Sequence, residues 1–221
     1  MAWSLTNNGH GGASTADPVS AGTFANALTP GSLIVVASYV STNHTPITPT
    51  DTAGNAYVEC GAGSCANGNA RARLFYALNT HNTASNIISL ANPSGWSLRV
   101  AAAEFAGNDS GSYGQSVVDG SAVTNNGNVG TGGGDNMVCG PITPTNNGDL
   151  IVGWALDLSG AQSVGTGFTT TGITTLEYLV QASIAAISAL WHDSSNSSTY
   201  PAVMAAFRPL NTSVVLNPFV F

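Results

Sequence analysis

Pro30-Gly31-Ser32-Leu33-Ile34-Val35-Val36-Ala37 is the stretch on which the fold turns. Its opening Pro-Gly-Ser marks a turn, and the residues that follow are apolar at odd and even positions alike. Successive side chains of a strand point to opposite faces, so such a run describes a central strand covered on both sides. The stretch has an echo in Asn147-Gly148-Asp149-Leu150-Ile151-Val152, and Ala102-Ala103-Glu104-Phe105 has one in Met204-Ala205-Ala206-Phe207. The separations differ, 117 residues from Gly31 to Gly148 and 102 from Phe105 to Phe207, which excludes a strict tandem repeat. Two halves of one sandwich, each a similar series of strands, explain the pattern. Chance similarity between apolar strands is the alternative.

Outward from that stretch, short apolar runs recur between Gly, Pro, Asn, Asp and Ser, the pattern of an all-β antiparallel sandwich or jelly roll. Strands are expected near 32–40, 56–59, 72–78, 86–90, 97–105, 149–156, 175–181, 187–191 and 202–207. Arg71 and Arg73 alternate with Ala72 and Leu74, which puts both arginines on one face, toward solvent. Ile184, Ile187 and Leu190 also recur at helical spacing, but nothing nearby supports a helix and a strand is the preferred reading. The expected organisation is an N-terminal arm over 1–27 and one sandwich domain over 28–209. A long Gly- and Asn-rich central loop at 106–136, within which Gln115-Ser116-Val117-Val118-Asp119-Gly120 can form a short edge strand, and an apolar tail at 210–221 complete it.

Composition removes several classes of function. Only 7% of the 221 residues are charged, against about 25% in an ordinary soluble protein, so the polar surface is made of Asn, Ser, Thr and Gly. The basic residues are Arg71, Arg73, Arg99 and Arg208, there is no lysine, and the formal net charge is −7. Binding to nucleic acid by phosphate neutralisation, or to an anionic membrane, needs a basic patch this chain lacks. Without lysine there is no Schiff-base chemistry and no phosphate-gripping loop lysine. No run approaches the roughly 20 apolar residues of a membrane helix.

Residues that carry chemistry are sparse. His10, His44, His81 and His192 sit in turn-like text without metal-site spacing, and no Gly-x-Ser-x-Gly nucleophile turn occurs. Glu104 and Glu177 are the acids lying well inside apolar strands. Paired carboxylates would be the one route to glycosidase chemistry, but a lone strand acid more often meets solvent or an arginine. No catalytic residue, cofactor or metal ligand is assigned. Asp51, Asp109, Asp119 and Asp135 lie in carbonyl-rich loops able to offer oxygen to a structural calcium. Cys60 and Cys65 bracket Gly61-Ala62-Gly63-Ser64, a spacing that can close as a small disulfide loop, two free thiols being the alternative; Cys139 reads as a small buried strand residue. Trp3, Trp96, Trp154 and Trp191 are glycan-stacking candidates by type only, with core packing the plainer reading.

A resemblance adds to this. The order Pro30-Gly31-Ser32-Leu33-Ile34-Val35-Val36-Ala37, Thr50-Asp51-Thr52-Ala53-Gly54-Asn55-Ala56-Tyr57, Leu74-Phe75-Tyr76-Ala77, Ala103-Glu104-Phe105-Ala106-Gly107 resembles a β-sandwich module of bacterial surface and phage-associated proteins, over about residues 28–209. In such modules Asp-x-Ala-Gly-Asn resembles a tight turn in which Gly54 and Asn55 can take positive φ. The resemblance carries no catalytic or binding residue, and the Cys60–Cys65 insertion and the extension from Leu210 depart from it.

A composition suited to the outside of a cell, in a chain that starts Met1-Ala2 without an export signal, is expected of a virion protein. The expected function is therefore a non-enzymatic structural protein of a phage virion, a capsid decoration or tail or fibre component at the virion surface. It would assemble as a homo-oligomer and with other virion proteins, its tail residues Val214, Val215, Leu216, Phe219, Val220 and Phe221 packing onto a neighbour. The alternative is a secreted bacterial adhesion or carbohydrate-binding module acting on cell-surface glycans.

Overall fold

A computed structural model describes residues 3–40, 47–60, 65–67, 70–107, 117–120, 123–128, 137–157, 161–194 and 199–209, with backbone only at 65–67, 124–128 and 199. The described residues are 58% strand, and no helix occurs among them. In the first half these are β1 (Ser4–Ser14), β2 (Val19–Thr23), β3 (Leu33–Val40), β4 (Thr50–Asp51), β5 (Val58–Glu59), β6 (Cys65–Asn67), β7 (Ala70–Leu78), β8 (Ile87–Leu90) and β9 (Leu98–Ala106). In the second half they are β10 (Val123–Asn128), β11 (Met137–Ile142), β12 (Leu150–Ala155), β13 (Gln162–Val164), β14 (Thr169–Ile173), β15 (Leu176–Val180), β16 (Ile187–Asp193) and β17 (Thr199–Phe207).

The two halves have one topology. The large sheet of the first half runs β1-β9-β3-β7-β5, with β6 also on β7, and that of the second runs β10-β17-β12-β15-β14. The small sheets, β2-β8-β4 and β11-β16-β13, match in the same way. With β6 set aside, each half places its first strand beside its eighth, then third, then sixth, and opposes them with second, seventh and fourth. This is jelly-roll order, with the fifth strand beyond the sixth on the large sheet. Every pairing is antiparallel. The sequence echoes fall on equivalent strands in equivalent register: Leu33 opposes Phe105 and Leu78, and Leu150 opposes Phe207 and Val180.

The large sheets pack face to face, which explains the doubly apolar strands. Leu33, Val35, Ala37 and Tyr39 of β3 join Leu150, Val152 and Trp154 of β12 in a single central core. The alternate residues Ile34, Val36 and Val40 face the small sheet of their own half, as Ile151 and Ala155 do in theirs. All residues of β3 and β12 are buried, as expected of strands covered on both sides. The contacts across the centre are reciprocal. Tyr76 meets Phe207 edge-on with ring centroids 5.9 Å apart, and the equivalent Tyr178 meets Phe105 at 5.2 Å. At the rims β1 lies against β14 and β10 against β6. The halves are thus related by a pseudo-twofold axis along the strands, with Leu33 and Leu150 at the same end. Trp154 ties the faces together by donating its indole N–H to the Ser38 carbonyl at 3.1 Å.

The structure departs from the sequence expectations in several places, the first being that each half is a two-sheet sandwich of its own rather than half of one. Residues 4–14 and 19–23 are not an arm but the strands β1 and β2. Their Gly-rich text hid them: a Cβ on Gly9 or Gly11 would stand 2.6 Å from the Ala21 carbonyl oxygen or 2.0 Å from that of Ser20, so β1 needs glycine where β2 passes. The central excursion holds a further strand, because Val123–Asn128 forms β10 along β17, while Val118, within the stretch read as a possible edge strand, bridges Phe207. Ile187–Asp193 is strand, as preferred over helix. Arg71 and Arg73 are only partly exposed; the Arg73 guanidinium holds Glu59 at 2.6 Å, with its side chain 12% exposed. The tail 210–221 lies outside the described residues.

Gly153 sits mid-strand because Trp191 fills the space a side chain would take: an added Cβ would lie 2.7 Å from the Ala189 Cβ and 2.9 Å from the Trp191 ring. Gly153→Ala is expected to cost about 1–3 kcal/mol through overpacking, read as a lower midpoint in denaturant. An unchanged midpoint would mean that the ring yields freely.

Candidate functional site

The buried acids come first, because a carboxylate taken out of water must be fully bonded or protonated. Glu104, fully buried in β9, accepts from Asn7 Nδ2 at 2.5 Å, Ser32 Oγ at 2.5 Å and the Thr29 N–H at 2.7 Å. It therefore pins the turn that enters β3, and Asn7 passes the hold on by accepting the Asn26 N–H. Glu177, equally buried, accepts the Gly165 and Leu190 N–H groups at 3.2 and 3.0 Å. Neighbours of Glu104 and Glu177 along their strands, Ala103, Phe105 and Leu176, face the central core. The two acids therefore point outward, in opposite directions, with both large sheets between them. Sheets packed about 10 Å apart keep these carboxylates from sharing one groove, so the paired-acid arrangement is not formed.

In the second half the equivalent turn is pinned by a different acid. The alignment places Asp149 where the first half has Ser32, and the main-chain bonds agree: the Asn79 N–H donates to the Ser32 carbonyl at 2.9 Å, and the Gln181 N–H to that of Asp149 at 2.8 Å. Ser32 donates its hydroxyl hydrogen bond to Glu104, whereas both Asp149 carboxyl oxygens are buried with no N–H or O–H donor on them, with Asp119 alongside. Asp119 accepts the Thr145 N–H and hydroxyl, and pairs with Arg208 at 3.2 Å. Burial, together with the hydrogen bond and charge of Asp119, pushes the Asp149 carboxyl up to about 8. Burial also raises Asp119, but the hydrogen bonds from Asp149, Thr145 and Arg208 outweigh it and bring that carboxyl down to about 2. Protonated in this way, Asp149 would stand toward Asp119 as an O–H donor, as Ser32 stands toward Glu104.

Asp51 organises the Asp-x-Ala-Gly-Asn turn. Its Oδ1 accepts the N–H groups of Gly54 and Asn55 at 2.7 and 2.9 Å, and its Oδ2 accepts Asn55 Nδ2, the Tyr57 hydroxyl and Asn86 Nδ2. Burial raises its carboxyl, and these bonds more than offset that, leaving it below the usual range. Gly54 takes the expected positive φ of 84°, while Asn55 does not. Of the calcium candidates, Asp51 and Asp119 are engaged in these networks, and Asp109 and Asp135 lie outside the described residues. Among the described residues no three His, Cys, Asp or Glu side chains cluster as metal ligands.

Past this turn lies an open groove of about 450 Å³ lined by Asn55, Val58, Tyr76, Leu78, Thr80 and His81 among others. Its walls are held rigidly: Asn55 by Asp51, and the His81 backbone by Asn79, which donates to the His81 carbonyl at 2.9 Å and accepts its N–H at 3.0 Å. The Asn55 side-chain oxygen Oδ1 is buried without a partner. Val58 is 53% exposed at the rim, and the Tyr76 ring is fixed by Phe207. An apolar floor with amide and imidazole groups around it suits a neutral ligand or an extended peptide.

The tryptophans are structural: Trp3, Trp154 and Trp191 are buried, and Trp96 is half-buried against the first sandwich's core. His10 is exposed, His192 is half-buried and His44 lies outside the described residues. Nothing in the sequence foretold the groove, because its residues come from two stretches, 54–58 and 76–81, that meet only in the fold; Val58 beside the Asp51 turn was the one available sign. No known family, curated protein or solved structure matches this chain.

Two predictions follow from the buried groups. Asp149 is raised from an unfolded value of about 4, so the folded chain holds the extra proton between pH 4 and 8, and stability falls as pH rises through that window. Asp119, lowered, loses its contribution as pH drops from about 4 toward 2. Asp149→Asn keeps a donor toward Asp119 without an ionisable proton. Its denaturation midpoint is expected to fall less than the parent's between pH 5 and 9 and to exceed it at pH 9; an equal loss of stability at every pH would refute the shared proton. Cys60 and Cys139 are buried free thiols, while the Cys65 side chain lies outside the described residues. Burial, with Glu59 nearby, raises the Cys60 thiol far above its ordinary range. Unfolding without reductant should expose three titratable thiols; a count of one, with the free thiol mapped to Cys139, would establish the Cys60–Cys65 bridge.

Proposed function

We propose that this chain is a non-enzymatic structural protein of a phage virion, a capsid decoration or tail or fibre component at the particle surface, acting by assembly with copies of itself and with other virion proteins. The observation that carries this reading is the doubled sandwich. Two jelly-roll units fused broadside make a block whose large sheets are buried on both faces and whose polar surface is nearly free of charge. Few charges mean that little of its surface energetics changes with salt, a useful property for a part that works in whatever medium the particle meets. The buried acids Glu104, Glu177, Asp119 and Asp149 support the same reading, since each is engaged in holding a turn or strand in place. The apolar residues Val214, Val215, Leu216, Phe219, Val220 and Phe221 are the proposed assembly element. The resemblance to phage-associated β-sandwich modules points the same way.

The second reading, a secreted adhesion or carbohydrate-binding module, is favoured by the groove, where Asn55, Thr80 and His81 surround an apolar floor. Native material distinguishes the two. The virion reading expects the chain to co-sediment with intact particles at a fixed stoichiometry, and deletion of 211–221 to abolish that association. A free monomer in the medium that binds glycans, with binding lost in His81→Ala, would replace it by the second reading.

A further inference from the structure

Resting on the assembly reading above, we propose that the groove beside Tyr76 receives the C-terminal segment of a second copy, residues 214–221, laid as an added strand along the open edge of β7. The edge is defined by the pairing. Along β7, β6 covers Ala70 to Ala72 and β5 covers Phe75 and Tyr76, and nothing among the described strands covers Ala77 and Leu78 on that side. The Leu74 carbonyl faces this edge, where it accepts the Cys60 N–H at 3.0 Å, whereas the Asn79 N–H faces β3 and bonds Ser32. Strand alternation therefore turns both the N–H and the carbonyl of Leu78 into the groove. An extended segment arriving there finds main-chain partners at Leu78 and apolar contact from Val58, Tyr76 and Leu78.

The segment supplies the matching features. Val214-Val215-Leu216 and Phe219-Val220-Phe221 are β-prone and uncharged, and strand addition takes affinity from the backbone and selectivity from side-chain pockets. Donor and acceptor lie on different sandwiches. The chain leaves from the second, where the Arg208 N–H bonds Val117 at 2.9 Å, its guanidinium holds Asp119, and Pro209 packs toward Gly148; the groove belongs to the first. Reciprocal exchange of the segment closes two copies into a twofold dimer, whereas one-way exchange joins copies head to tail into a ring or a fibre.

The experiment uses the full chain, a 211–221 deletion, a Val58→Asp variant whose change falls on an exposed side chain, and a synthetic peptide copying residues 210–221. The peptide should bind the deletion variant saturably, and Val58→Asp in that background should weaken binding at least tenfold. The full chain should grow in size with concentration in sedimentation, and both variants should not. Absence of peptide binding, or binding indifferent to Val58→Asp, overturns the proposal. So does a full chain that is monomeric at every concentration and excludes the peptide, since its own segment then fills the groove. Particle association separates this proposal from the broader reading: if deletion abolishes association and Val58→Asp leaves it intact, the tail assembles elsewhere and only the groove is wrong, whereas association unaffected by either change removes the tail from assembly altogether.

Discussion

Everything in this molecule depends on two large sheets burying their broad faces against each other. Tyr76 on Phe207 and Tyr178 on Phe105 are two instances of one contact, repeated by the pseudo-twofold axis. Because the opposite faces are covered by the small sheets, β3 and β12 have no wet side. A strand in that position must be apolar throughout, and any polar group on it must be answered locally. Ser38 is answered only in part: its carbonyl receives the Trp154 indole from the facing sheet, while its hydroxyl is buried without a partner.

The same constraint explains the acids. Glu104 and Glu177 lie on strands of the large sheets, where water cannot reach them, and each is matched by N–H or O–H donors from adjoining turns and strands. Asp119 and Asp149 solve the corresponding problem in the second half with a carboxyl in place of a hydroxyl. The two halves thus keep a geometry while changing the chemistry that holds it. This makes the turn before the central strand a conserved mechanical need within the chain, met once by a permanent O–H and once by a proton that can leave.

How far this was legible follows from where the information sits. The apolar stretch from Leu33 to Ala37 and its echo from Leu150 to Val152 carry the central strands, their double cover and the likeness of the halves, because burial on both faces leaves a direct mark on residue type. β1 and β10 carry no such mark: the close passage of β2 demands glycine at positions 9 and 11, and glycine reads as loop. The fate of Glu104 and Glu177 was equally hidden, since alternation gives the face of a strand but not which of two sheets the face looks toward. The groove was least visible of all, being assembled from the Asp51 turn, the end of β7 and the His81 loop, none of which is unusual alone.

Joining the sandwiches broadside, with strands of both running the same way, also decides how the block answers mechanical load. A pull along the strands acts in shear on the whole central face, so the Trp154 bond and both tyrosine–phenylalanine contacts resist together rather than parting one after another. A pull that peels one rim meets them in sequence. The molecule should therefore be stiff along its strand axis and weaker across it, an anisotropy that comes from the duplicated face and from no single residue.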